Sequence, residues 1–459
     1  MEICNLIPSL PRELPAELTT AVRTFVASFV LATIATISSP GAVQARAVEE
    51  GNELLRTAIK LACPVKNADD AVSLGAQLPG FRHLYRRPQS VSVIGWRAWY
   101  VVVGGTVTVE RIAPGGELRS LTAEYRTGVE DRPRLVAMAD LNCAIRDARR
   151  IHYDDGGRPA WIEQLDAGLD PVGPALPFNP PVPAGRDPGG VPVALVDTGI
   201  NYLLPELSDR LARDRSDGLL GYDYWDLDRR PFDADPVRSL FFPSRHGTRT
   251  ASVVAAEAPI AKIVPYRYPR PDMSRMATLI DDAALHHVRL VNLSLVSRDF
   301  ARWAAYHAAV RRHPEMLFVV AAGNNQRDLD EVPMYPAALP LANQITVTAA
   351  TDHGRLMRGA NWGRRSVDLL VPAEGLVVIG FDGGRERASG SSYAAARVTA
   401  LAACLLAANP SWSTDELKAA VLARAIRSAD SDLVAHGFLA NPAIAERGAC
   451  PRKAANSGL

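Results

Sequence analysis

From residue 191 onward the chain alternates short apolar runs with helical patterns, and that alternation most limits the folds open to it. Residues 191–196, 262–266, 290–295, 317–322, 344–349 and 367–371 read as strands. Residues 249–256 and 302–312 read as helices. Met276, Leu279, Ile280, Ala283, Ala284 and His287 follow the i, i+3, i+4, i+7, i+8, i+11 pattern of one mostly apolar helix face. Residues 392–408 are apolar nearly all round, which predicts a central helix that stops at Asn409-Pro410. Ser413-Thr414-Asp415-Glu416 is a capping box that opens the last helix. Apolar strands separated by helices make a sheet covered on both faces, so the expected class is α/β with a doubly wound, mostly parallel sheet. Sheets of this kind place their sites just outside the C-terminal ends of the strands.

The preceding part of the chain has a different texture. Residues 50–61 have a helical pattern. Residues 91–112 are rich in Val, Trp and Tyr around a Gly104-Gly105 turn, residues 118–125 and 134–139 continue in that style, and residues 151–162 form a hairpin pattern with a glycine turn. Residues 48–170 are therefore expected to be a smaller N-terminal α+β domain. Seven prolines and four glycines crowd residues 171–190, which predicts an extended, semi-rigid linker without regular sheet or helix. A main domain over 191–445 and a tail over 446–459 complete the expected order.

Residues 25–37 form an apolar run after Arg23, and Ala45-Arg46-Ala47 fits an A-x-A cleavage site, so residues 1–47 read as an export signal or an uncleaved anchor. Export permits disulfides. Cys63 and Cys143 fall in one region and could pair, whereas Cys404, inside an apolar helix, reads as a small core residue. A net charge of +1 gives no reason to expect nucleic acid or an anionic membrane surface as a partner. Oligomeric state is not legible.

Four short strings carry the chemistry: Val196-Asp197-Thr198-Gly199, His246-Gly247-Thr248, Ala321-Ala322-Gly323-Asn324-Asn325 and Gly390-Ser391-Ser392-Tyr393-Ala394. Each falls where a strand or loop gives way to the next element. A serine hydroxyl needs a base within hydrogen-bond reach, and the base needs an acceptor on its other nitrogen. Asp197 is the candidate orienting acid, His246 the base and Ser392 the nucleophile at a helix N-terminus, where free N–H groups favour negative charge. Asn324 is the candidate oxyanion donor, with the backbone N–H of Ser392. Asp-Thr-Gly also occurs in aspartic proteases, but those need two carboxylates sharing a proton and this chain has one such string.

Asp, then His, then Ser is the triad order of subtilisins. With the four strings, Asn292-Leu293-Ser294-Leu295, Tyr335-Pro336-Ala337 and Asn361-Trp362-Gly363, the chain resembles a subtilisin-like serine protease (subtilase, peptidase S8 type) over roughly residues 191–425. The resemblance implies an exported serine endopeptidase that works through an acyl-enzyme on protein or peptide substrates. It selects Ser392 over Ser391, and it makes residues 48–170 a propeptide or a retained accessory domain. It also implies substrate binding by Ser294, Leu295, Val296 and Met334.

Where the family has Ser-Leu-Gly, this chain has Val296, and Met334 stands where a small residue is usual. The first specificity pocket is thus expected to be shallow and to prefer small or medium apolar side chains. Tyr393 replaces the family's Met. The competing readings are a catalytically impaired binding or regulatory protein and an esterase using the same triad. No cofactor is required for this chemistry. Asp223, Asp226, Asp228, Asp233 and Asp235 could ligate calcium, with a solvated acidic loop the plainer reading. A membrane enters only through the N-terminal segment.

Overall fold

The structure, a computed structural model, describes residues 40–90, 95–128, 130–237, 239–268, 273–442 and 450. The apolar run at 25–37 and most of the tail lie outside the described residues. The chain divides into two compact units: residues up to 150 with 164–172, and residues 151–163 with 173 onward.

In the first unit α1 (Pro40–Ala62), which runs through the Ala45-Arg46-Ala47 string, and a short α2 (Asp70–Leu74) accompany an antiparallel sheet. Its strands follow one another in chain order: β1 (Phe81–Ser90), β2 (Gly95–Val102), β3 (Gly105–Ile112), β4 (Ser120–Thr127), β5 (Arg132–Ala139) and β6 (Ile145–Tyr153), which passes out of this unit after Arg150; β7 (Pro159–Leu165), most of which belongs to the second unit, and a two-residue β8 (Leu176–Pro177) follow in the chain. Leu54, Leu55, Ala58 and Ile59 of α1 share a core with every second residue of β2, from Trp96 to Val102. Period-2 alternation on the strands thus meets one stripe of the helix. The buried polar tips are satisfied: Tyr100 Oη donates to Ala71 O at 2.7 Å, and Trp96 Nε1 to Val65 O at 3.0 Å. Strand β1 was not legible in the sequence. It is an edge strand, mostly exposed, and its Arg and Pro residues are what an unpaired edge favours.

The proline-rich stretch is tied down rather than free. β8 pairs with Trp161 and Ile162, a short exception to the expectation of no sheet there. Proline lacks an N–H but keeps its carbonyl. Pro180 O accepts from Tyr202 Oη at 2.6 Å and Pro183 O from Arg213 Nη2 at 2.7 Å, while Asp187 pairs with Lys262 at 3.0 Å.

The second unit holds β9 (Val191–Asp197), α3 (Pro205–Ser208), β10 (Tyr222–Asp223), α4 (Gly247–Glu257), β11 (Ala261–Arg267), α5 (Met276–Leu285), β12 (Leu290–Leu293) and α6 (Ala304–Arg312). After these come β13 (Leu317–Ala321), β14 (Gln344–Ala350), β15 (Leu369–Pro372), a β16 (Leu376–Ile379)–β17 (Arg385–Ala388) hairpin, α7 (Ser391–Ala408), α8 (Thr414–Leu422) and β18 (Gly437–Phe438). The main sheet runs β10-β11-β9-β12-β13-β14-β15-β18, parallel at each pairing. Val193 and Leu195 of β9, with Leu317 and Val319 of β13, pack in one core with α4 and α7. Ala194, Val196, Phe318 and Val320 face the other way, into a core with α5 and α6. Both faces being covered explains the uninterrupted apolar strands.

Helix α7 is long and apolar enough to cross a membrane by composition, yet 89% of it is buried inside the protein. Its one charge, Arg397, pairs with Glu257 Oε1 at 2.8 Å and donates to Pro372 O at 2.8 Å. The capping box at Ser413 and Glu416 is formed. α5 ends two residues before His287, whose φ of +56° is not helical, so His287 does not continue that face.

Two disulfides are present. Cys63 joins Cys143, and Cys404 joins Cys450, which corrects the expectation that Cys404 is only a core residue. It is buried, but the returning C-terminal segment brings Cys450 against it, a contact no local pattern reveals. Replacing Cys63 and Cys143 by serine is expected to cost about 2–5 kcal/mol, read as a lower denaturant midpoint of the full chain. A non-reducing peptide map is expected to show both linkages.

Candidate active site

Asp197 is the last residue of β9, at the C-terminal edge of the sheet. Its carboxylate is 1% exposed and fully engaged. Oδ1 accepts from the Thr198 amide at 2.8 Å, and Oδ2 accepts from Thr250 Oγ1 at 3.1 Å. The His246 ring approaches it by Nδ1, 2.7 Å from Oδ1 and 2.9 Å from Oδ2. A carboxylate accepts only, so Nδ1 carries the proton and Nε2 is left as the basic nitrogen.

His246 immediately precedes α4. The two turns that carry Asp197 and His246 interlock through Gly247. A Cβ there would lie 1.9 Å from Gly199 O and 3.1 Å from the Asp197 Cβ, so only glycine permits this approach. Thr198 Oγ1 accepts from the amides of His246 (3.0 Å) and Gly247 (2.8 Å), which ties the helix start to the strand end.

Ser391 and Ser392 open α7 and behave differently. Ser391 is fully buried; its Oγ accepts from the Gly323 amide at 2.9 Å, and its own amide donates to Asn324 Oδ1 at 3.0 Å. It is an anchor between two loops. Ser392, 8% exposed, is the hydroxyl left to the cavity. Gly390 before them has φ +142°, and a Cβ there would sit 3.0 Å from Asn324 Nδ2. Because Asn324 Oδ1 is held by an N–H, its amide orientation is set, and the donor end is the one remaining for a ligand.

Asn324 follows β13 on a loop organised by Asn361, a buried residue. Asn361 Oδ1 accepts from the amides of Asn325 (2.9 Å) and Arg327 (3.1 Å), and its Nδ2 donates to Ala322 O (2.8 Å). The sequence marked the Asn361 string only as a point of resemblance.

Asp197, His246, Ser294, Leu295, Val296, Asn324 and Ser392 all line one cavity of about 210 Å³, with Thr198, Ser244, Ala321, Gly323 and Ser391. Met334 does not; it is buried in the core on the α5–α6 side of the sheet. The expectation that Met334 joins Ser294, Leu295 and Val296 in binding substrate is not met at this cavity: its unbranched side chain fills that core instead. Val296 is at the cavity, and its Cγ2 would lie 3.2 Å from a Cβ on Gly323, so it stands across the gap between segments 294–296 and 321–323. Tyr393 packs beside His246, ring centroids 5.8 Å apart, and burial pushes its phenol up to about 12.

The acidic loop is only partly solvated: Asp226 is exposed and Asp228 and Asp235 are half-buried, but Asp223 and Asp233 are buried. Asp223 is buried against Arg267 at 2.7 Å, which Asp226 also contacts at 2.7 Å; burial raises Asp223 to about 6 despite that cation. Asp228 accepts from Asn179 Nδ2 at 2.7 Å. Asp233 is fully buried on two threonines. Among the described residues, no three His, Cys, Asp or Glu side chains group closely enough to hold a metal ion.

The model of the subtilase family, peptidase S8, matches residues 189–445, more than half the chain. The chain belongs to the subtilase family. It is 28% identical over 232 residues to the thermophilic serine proteinase of Bacillus sp. (strain AK1), covering 47% of this chain and 52% of that protein. It is 27% identical over 265 residues to the alkaline serine exoprotease A of Vibrio alginolyticus, covering 54% of this chain and 45% of that one. This subtilase chain thus spans about half the length of the curated relatives it matches. A solved cold adapted subtilisin-like serine proteinase aligns at 25% identity over 58% of this chain and 94% of its own, with a TM-score of 0.47.

Asn361→Ala would leave two amides and one carbonyl of the Asn324 loop without partners in a buried place. The expected loss is about 2–4 kcal/mol, measured by denaturant unfolding of the full chain.

Proposed function

We propose that this subtilase is an exported serine endopeptidase, with Ser392 as nucleophile, His246 as general base and acid, and Asp197 as the orienting carboxylate. The observation that carries the reading is the cavity itself. An imidazole gripped through Nδ1 by a buried carboxylate lies on one wall, and a serine at a helix N-terminus lies on the same cavity.

Ser392 Oγ attacks the carbonyl carbon of the peptide bond while His246 Nε2 takes its proton. The carbonyl oxygen becomes an oxyanion, met by Asn324 Nδ2 and the Ser392 N–H. The C–N bond then breaks, the amine leaves with the proton from His246, and an ester to Ser392 remains. Water, deprotonated by His246, attacks that ester, and the proton returns to Ser392 Oγ as the acid leaves. Asp197 stays ionised throughout and stabilises the imidazolium. The helix dipole of α7 favours the charge that develops at its N-terminus.

Val296 narrows the space beside the cavity, which supports a preference for small or medium apolar side chains before the cleaved bond. Residues 48–170 act as a propeptide or retained accessory domain, and the apolar run at 25–37 supports export. No metal is needed for the proton relay.

The test is fluorophosphonate labelling of the full chain, followed by casein cleavage. Labelling is expected in the wild type, absent in Ser392→Ala and kept in Ser391→Ala wherever that variant folds. Absence of labelling from folded wild type would overturn the hydrolase reading, and labelling without casein cleavage would favour an esterase. For the pocket, a peptide library is expected to show Ala, Val or Leu preferred, with Val296→Gly broadening acceptance toward aromatics. A wild-type preference for Phe, Tyr or Arg would overturn the shallow pocket.

A further inference from the structure

Asp233 is a buried carboxylate beside the candidate triad that the proposed chemistry does not use. It lies 13 residues before His246 in the chain, on a loop between β10 and α4, and its side chain has no exposure. Oδ1 accepts from Thr198 Oγ1 at 2.5 Å. Oδ2 accepts from the Thr248 amide at 2.8 Å and from Thr248 Oγ1. Thr198 follows the acid directly, and Thr248 is two residues after the base. The carboxylate therefore joins the two turns that carry Asp197 and His246.

The donors around it favour the anion. Thr198 Oγ1 already accepts from the amides of His246 and Gly247, so both its lone pairs are used and its proton points at Asp233. Thr248 Oγ1 accepts from the Asn201 amide and donates to Asp233. With the Thr248 amide, three donors converge on the carboxylate, an arrangement suited to a negative charge.

We propose that Asp233, as an anion, is a positioning residue for the subtilase reaction: it locks His246 onto Asp197 through Thr198 and Thr248 and adds a second negative charge that favours the imidazolium. This rests on the proposed serine hydrolase reading. Burial, the largest influence, holds the Asp233 carboxyl above the usual carboxylate range, helped by the Asp197 charge; the hydrogen bonds from Thr198 and Thr248 oppose that rise and are what keep the anion accessible. The other charged and titratable groups around the pair are Arg249, which is held by Glu386, Arg245 beside His246, Tyr393, and Arg267, whose Nε donates to Ala234 O next to Asp233. Asp233 touches none of the reacting atoms. Its effect runs through the base.

The test uses the full chain and two readouts, the pH dependence of fluorophosphonate labelling and the titration of the His246 ring followed by NMR. In Asp233→Asn the labelling rate at saturating probe is expected to fall about ten-fold or more, with half-saturation within about two-fold of wild type. The acidic limb of the rate profile and the His246 titration are both expected to move to lower pH by about half a unit, because an anion near the imidazolium has been removed. A loss of fold alone lowers the amplitude of labelling and leaves the limb in place. Should Asp233→Asn not fold, Thr248→Val removes one donor from Asp233. The carboxyl then protonates at higher pH, so the acid-side loss is expected to move upward, and Thr248→Ser restores the wild-type limb. An unchanged limb and unchanged His246 titration in folded Asp233→Asn, or in Thr248→Val, would overturn the proposal. A shifted His246 titration in a protein that never labels would support the coupling and count only against the hydrolase reading.

Discussion

A helix with almost no polar face must be covered on every side, and the second unit is arranged around that requirement. Helix α7 lies in the core that packs on one face of the parallel sheet, with α4 beside it. Burying each large apolar side chain is worth about 1.5–3 kcal/mol, so a helix of this length has one position available in the fold. Its only charge reaches Glu257, the Pro372 carbonyl and the Asn441 side chain. Burial of the helix body leaves its N-terminus at the edge of the sheet where β9 ends in Asp197 and the β13 loop carries Asn324. The serine position is thus a consequence of core packing.

The acid–base pair depends on a different kind of constraint. His246 and Asp197 meet because two turns pack glycine against backbone, with Gly247 against Gly199 O. Around them the buried polar groups are satisfied by amides and hydroxyls: Thr198 and Thr250 add links from the strand end to the helix start beside the direct Asp197–His246 contact, and Thr248 ties the helix start to Asp233. Hydroxyls suit that place, since each both donates and accepts within a small volume. The cations nearby, Arg249 and Arg267, are held by Glu386, Asp223 and Asp226 instead. Asp197 is therefore left for the imidazole.

How much was legible follows from the range of the interactions. The longer strands and helices of the second unit were readable because their apolar periodicity is local, and the capping box at Ser413 was readable for the same reason; α3, β10, β16, β17 and β18 are two to four residues long, too short to show a period. Asp197, His246, Asn324 and Ser392 were readable because short strings of small residues mark close backbone approach, and the structure brings all four to one cavity. Met334, on a separate loop, was assigned to that cavity by resemblance and lies in the core instead. Asp223 and Asp233 looked like surface because the sequence does not reveal Arg267, Thr198 or Thr248 as their partners. Cys404 looked like plain core because Cys450 is 46 residues away.

By itself the sequence determined the parallel α/β architecture, the chain order of acid, base and serine, and the central place of α7. These follow from periodicity and from residues with narrow backbone requirements, which act over a few positions. Only the tertiary structure decided how Ser391 is tied to the Gly323–Asn324 loop, which nitrogen of His246 is protonated, where Val296 meets the cavity and where Asp233 is buried. Each of those is set by a contact between segments far apart in the chain, where the cost of an unpaired buried polar group or an overlapping atom decides between arrangements that the sequence leaves equal.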